Sequence, residues 1–174
     1  MKVLPIDDPV PRFRLSRRVL HDQILEYIET HFTRHDFARL IDEILQAQGF
    51  VTRLSGPGPD GGVDILAGRG SLGFDPPYMC VQVKSSKHPE DVKTLRALQG
   101  TMQVCNATQG LLVCWRGFTK ALDREARQSF FHIRLWDSSD VLESIYQNYD
   151  QLSDEIKAEL PLERVWKLAI NEED

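Results

Sequence analysis

No apolar run among the 174 residues approaches the roughly 18–20 that a helical membrane span needs. Met1 to Arg18 is charged and lacks an apolar h-region, so no signal peptide is expected. Cysteine is scarce. Cys80, Cys105 and Cys114 sit in apolar segments, an odd count without metal-finger spacing. That pattern speaks against a disulfide framework and for buried thiols in a cytoplasmic protein. Internal repeats, low-complexity tracts and a separate winged-helix or zinc module are all missing. Positive charge is not in excess either, the formal net charge being −5. Its distribution is uneven, however. Asp137 to Asp174 holds eleven carboxylates against Lys157, Arg164 and Lys167, a balance of −8 that leaves +3 on Met1 to Trp136. An acidic tail on a mildly basic body suits selective contact with a polyanion better than general phosphate affinity.

What is present is an ordinary globular composition, 41% hydrophobic and 27% charged, in a chain long enough for one core with terminal additions. Met1 to Ser16, with three prolines and no periodicity, reads as an arm, and Arg12, Arg14, Arg17 and Arg18 either touch phosphate or are simply solvated. Leu20, Ile24, Leu25 and Ile28 predict a helix over Arg17 to Thr30. A second helix follows Thr33, with Thr33 and Asp36 as a variant capping box and Gly49 as its stop. Its apolar stripe is Phe37, Leu40, Ile41, Ile44 and Leu45.

Strands are expected at Val51–Leu54, Val63–Ala67, Met79–Val83, Gly110–Trp115 and His132–Trp136. Helices are expected at Pro89–Cys105, Thr119–Phe130 and Asp140–Tyr146, the last capped by Ser138 or Ser139. A short helix at Asp154–Leu160 and a terminal strand at Val165–Ile170 complete the order. Trp115, Phe118, Phe130, Phe131 and Trp136 lie among apolar runs and are expected in the core. The order calls for an α/β fold, a mixed central sheet flanked by helices, with an antiparallel meander first and a parallel crossover after it.

The chemistry concentrates between Ser55 and Lys84. Ser55-Gly56-Pro57-Gly58-Pro59-Asp60-Gly61-Gly62 can only be a loop, since proline and glycine sustain neither helix nor ladder. It is no Walker phosphate cradle, because no Gly-Lys-Ser/Thr follows. Beyond it, Asp64, Gln82 and Lys84 interrupt apolar strands, where unpaired polar groups are costly. Strand alternation puts Gln82 and Lys84 on one face, and a neighbouring strand brings Asp64 to them. A carboxylate, an amide oxygen and an ammonium gathered there suit a divalent cation and a phosphodiester. Asp64 reads either as a metal ligand or as a strand-end carboxylate bonding loop amides, and Asp60 as a turn residue or a direct participant.

Gly58-Pro59-Asp60-Gly61-Gly62-Val63-Asp64-Ile65, followed by Val81-Gln82-Val83-Lys84, resembles the Mrr-type branch of the PD-(D/E)xK nuclease superfamily. The likeness covers roughly Thr33 to Leu142. In that branch Gln commonly replaces the acidic member of the (D/E)xK element, as Gln82 does here. The resemblance implies a restriction-endonuclease-like core over 33–148, an arm and helix over 1–32 and an acidic extension over 149–174. It implies a metal-dependent endodeoxyribonuclease with Asp64, Gln82 and Lys84 catalytic. Mg²⁺ or Mn²⁺ would sit on Asp64, Gln82 and the Val83 carbonyl.

One position departs from the family. A Glu is usual directly after the helix Phe, and here Ala38 follows Phe37. Asp42, one turn along the same helix edge, either replaces that carboxylate or is a solvated edge residue. Lys87, Lys93, Arg96 and Gln99 are candidate DNA contacts, the last three at helical spacing on what is otherwise a plain polar face. Ser85 to His88 is a loop placed to hold the DNA backbone or to be solvated. Arg116, Lys120, Arg124 and Arg127 form a second basic cluster of the same ambiguity. The rival from another class is a binding or scaffolding module on this fold that has lost cleavage, and RNA or branched DNA remain open as substrates. Two cuts on opposite strands need two sites, so a homodimer or a partner protein that supplies specificity is expected.

Overall fold

A computed structural model describes residues 17–56 and 62–164. The expected arm, the Pro59–Asp60 part of the glycine loop and the expected strand at 165–170 lie outside the described residues. In chain order the elements are α1 (Arg17–His31), α2 (His35–Ala47), β1 (Val51–Leu54), β2 (Ile65–Arg69), β3 (Asp75–Lys84) and α3 (Val92–Val104). There follow β4 (Gln109–Cys114), α4 (Lys120–Ala126), β5 (Ile133–Trp136), α5 (Ser138–Asn148) and α6 (Asp154–Glu159). The strands form one sheet in sequence order, β1-β2-β3-β4-β5. The first three pair antiparallel, and β3–β4 and β4–β5 pair parallel through α3 and α4. This is the mixed sheet flanked by helices that the element order called for.

The two faces of the sheet have separate cores. Leu111 and Val113 of β4 pack with Phe37, Ile41, Leu142 and Ile145 from α2 and α5. Leu112 and Cys114, pointing the other way, pack with Leu95, Leu98 and Leu122 from α3 and α4. A strand covered on both faces has no polar side to show, hence its uninterrupted apolar run. Ile28 and Phe32 of α1 and Ile156 and Leu160 of the C-terminal part join the first of these cores. Phe37 meets Trp115 edge-on, ring centroids 5.3 Å apart. Among the described residues no helix is long and apolar enough to cross a membrane.

Several local expectations are corrected. β3 starts at Asp75, four residues before Met79, and carries Pro76 and Pro77. Its pairing with β4 begins only at Met79↔Gln109, and on the β2 side the prolines fall in the register irregularity between the Ala67↔Met79 and Arg69↔Asp75 pairs. Helix α2 is not capped by Thr33. Its N-cap is Arg34, without a side-chain cap, and the Thr33 carbonyl instead accepts from the Asp36 N–H at 3.0 Å. α1 runs to His31, so the chain must reverse within three residues and Thr33 is consumed in the turn. Helix α5 is capped by Asp137 rather than by a serine, its carboxylate accepting from Ser139 and Asp140 N–H in a full capping box. Phe130 and Phe131 are not core, at 54% and 84% exposed. They follow a helix of only seven residues, whose inward positions are already filled by Leu122 and Ala126.

Candidate active site

Asp64 sits one residue before β2, beside the end of β3. Its N–H donates to the Val81 carbonyl at 3.0 Å, and its own carbonyl accepts from Ser55 N–H at 2.8 Å. Its Oδ2 accepts from the Val83 N–H at 2.7 Å. The carboxylate is therefore fixed to the backbone of the strand that carries the Gln-Val-Lys element. The far end of β3 is held in turn, because Trp115 N–H donates to the Lys84 carbonyl at 3.0 Å.

Asp64, Val83 and Lys84 line one cavity of about 520 Å³ between the strand ends and the start of α2. Arg34, His35 and Ala38 form its helix wall, and Ser55, Ser85 and Ser86 contribute hydroxyl-bearing residues. Burial lifts the Asp64 carboxyl above its ordinary pKa, while the Val83 N–H, Lys84 and His35 pull the other way without cancelling it. Among the described residues Asp64 is the carboxylate of this wall.

Gln82 and Asp42 are not part of that lining. Gln82 is only 5% exposed and lies behind it, its Nε2 3.5 Å from where a Cβ on Gly62 would stand. Its Oε1 is buried without a hydrogen-bond donor. Asp42 is 7% exposed, so the solvated-edge reading is wrong. Its Oδ2 accepts from Gln46 Nε2 at 2.7 Å, the same amide donates to Thr52 Oγ1 at 3.1 Å, and Oδ1 has no partner. Asp42 thus faces β1. Ala38 occupies the wall position one turn earlier.

The expected DNA contacts divide. Lys87 and Lys93 are exposed. Arg96 instead pairs with Glu125 of α4 at 3.1 Å, and Gln99 Nε2 donates to Ser129 Oγ at 3.4 Å. α3 and α4 lie side by side in one layer, so that row of α3 is spent on its neighbour rather than turned to the cavity. Arg34 and His35 were not anticipated. They precede the apolar stripe of α2 with no motif of their own, and only the seating of α2 on the sheet brings them to Asp64.

The sequence matches the restriction endonuclease family Mrr_cat over residues 30–145. No curated protein matches the chain. Among solved structures, the DNA modification-dependent restriction endonuclease AspBHI superposes with a TM-score of 0.61 at 14% identity. That likeness covers 81% of this chain and 38% of AspBHI. The MspJI restriction endonuclease, solved in complex with a 27-mer oligonucleotide, gives 0.59 at 17% identity, covering 83% of this chain and 36% of MspJI. The chain thus spans little more than a third of either protein, and at these identities the likeness is one of fold. The five-stranded mixed sheet between helix layers is the restriction-endonuclease-like architecture. With about two thirds of its length matched, this chain belongs to the restriction endonuclease family Mrr_cat.

Proposed function

We propose that the chain is a metal-dependent, Mrr-type endodeoxyribonuclease core that hydrolyses DNA phosphodiester bonds in the Asp64–Lys84 cavity. The observation that carries this reading is the half-buried Asp64 carboxylate, pinned to the Val83 amide and sharing one cavity with Lys84. A Mg²⁺ or Mn²⁺ ion would be held by Asp64, the Val83 carbonyl and Gln82 Oε1. The residues fit such a group. Gln82 Oε1 is a buried acceptor lacking a donor, and Asp64 carries a carboxylate disfavoured by burial. A cation would offset both costs, and an all-oxygen donor set suits a hard ion. When bound, it supplies Lewis-acid stabilisation of phosphoryl charge and a more acidic water.

The chain's own residues do the rest. Lys84 orients the attacking water and offsets negative charge as it builds on the five-coordinate phosphorus. The Val83 amide keeps Asp64 from turning away while substrate enters. Lys87 and Lys93 contact the DNA backbone as solvent-exposed cations, and Asp42 joins the site only if α2 slides by a turn. In this reading 33–148 is the catalytic core, 1–32 and 149–174 are additions to it, and the protein acts in the cytoplasm. A second copy or a partner protein supplies specificity and the second cut.

One observation favours a second reading, a binding module that no longer cleaves. Ala38 in the cavity wall and Gln82 behind it leave Asp64 as the sole carboxylate there among the described residues. Plasmid incubation separates the two. AspBHI is described as modification-dependent, so methylated and unmethylated plasmid are both offered, with Mg²⁺, Mn²⁺ or EDTA. Nicking or linearisation that needs the metal and disappears in Asp64→Asn and Lys84→Ala is expected. DNA binding without cleavage under every condition would replace the nuclease by the binding module.

A further inference from the structure

The helix wall of the cavity carries two basic side chains, Arg34 and His35. Arg34 and His35 are exposed, line the same cavity as Asp64 and Lys84, and make no side-chain ion pair or hydrogen bond among the described residues. Two arginines outside the cavity are engaged by contrast. Arg39 pairs with Glu159 and Glu155, and Arg116 pairs with Glu29. We infer that Arg34 and His35 are phosphate contacts, binding the backbone of the DNA strand that enters the Asp64–Lys84 cavity. This deepens the nuclease reading and rests on it for the identity of the polymer.

Three observations support it. Among the described residues the cavity wall sets one carboxylate, Asp64, against the Arg34 and Lys84 cations, with the His35 ring beside them, a balance that attracts a polyanion. Ala38 contributes a methyl where the family has a Glu, so that side of the wall neither repels nor fills the space a phosphate would take. Arg34 also holds φ 49°, ψ −106°, a conformation natural to glycine and costly for a side-chain-bearing residue. Structure alone would be better served by glycine there, and what glycine cannot supply is the guanidinium. Its fork of N–H donors matches phosphate oxygens, and an imidazole N–H donates whether or not the ring is charged. Neither group reads a base, so the contact positions the strand without choosing its sequence.

The test is fluorescence anisotropy with a labelled DNA duplex in Ca²⁺ or EDTA, over a salt series, with cleavage followed separately in Mg²⁺. Arg34→Ala should weaken binding about tenfold and lower the slope of log affinity against log salt by about one contact's worth, near 0.9, while His35→Ala should weaken binding through loss of its N–H donor with a smaller change of slope. His35→Gln, which keeps a donor, should retain most of the affinity. Arg116→Ala removes an equal charge away from the cavity and should change little. Arg34→Gly is the sharper variant, since relief of the backbone should raise the melting temperature while DNA binding falls. Unchanged affinity and slope in both alanine variants would overturn the inference, as would a wild-type protein that binds no duplex. Wild-type protein that binds and never cuts, with binding still lost in Arg34→Gly, would sink the nuclease reading and leave this one standing.

Discussion

Asp64 answers to opposing demands. Burial favours its neutral form, and the Val83 N–H, Lys84 and His35 favour the charged one, with burial prevailing. The folded-state pKa therefore lies above the unfolded 3.8. The native state keeps a proton that the unfolded chain has lost, so this group's contribution to stability falls as pH rises through the window above 3.8. Asp64→Asn should then melt higher than wild type at pH 7, with the difference shrinking as pH falls toward 3.8. Mg²⁺ should raise the melting temperature of wild type and not of Asp64→Asn. Scanning fluorimetry with and without Mg²⁺ reads both, and an equal response to Mg²⁺ would remove Asp64 from the metal site. At the neighbouring positions, Gln82→Glu adds an anionic oxygen and should tighten Mg²⁺ in calorimetry. Lys84→Ala should leave that affinity intact or stronger, yet lower cleavage by about 10²-fold or more. Undiminished cleavage in Lys84→Ala would take the lysine out of the mechanism.

The helix starts differ in how they are capped. Asp91, Thr119, Asp137 and Ser153 cap α3, α4, α5 and α6 through their side chains. α2 alone among these has Arg34 at its start and no side-chain cap. Asp137→Ala should cost about 1 kcal/mol and about 2–4 °C in melting temperature, leaving DNA cleavage untouched. Along α2 itself, Ala38 and Asp42 put two accounts of the missing carboxylate to the same test. Ala38→Glu sets a carboxylate on the cavity wall and should tighten Mg²⁺. Asp42→Asn, whose side chain faces Gln46 and Thr52, should leave both metal affinity and cleavage near wild type. A sharp fall in cleavage in Asp42→Asn at unchanged melting temperature would mean that α2 slides to deliver Asp42 to the site.

For the whole molecule, stability depends on a sheet buried from both sides. Leu112, fully buried under α3 and α4, should cost about 2–5 kcal/mol on truncation to Ala, measured by urea denaturation with the slope preserved. Local pattern determined much of this molecule. The α2 stripe, the two-sided β4 run, and the spacing of Gln82 and Lys84 follow from periodicity and backbone chemistry, which act over a few residues. What lies across the fold was decided by packing. Strand alternation sets Gln82 and Lys84 on one face, yet Gln82 lies behind the cavity wall against Gly62 while Lys84 lines it. Asp42 is buried rather than solvated because β1 lies against its helix edge. Arg96 and Gln99 are spent on α4 because two crossover helices share one layer. Arg34 and His35 carry no local signal, and they meet Asp64 only because the start of α2 is seated over the strand ends.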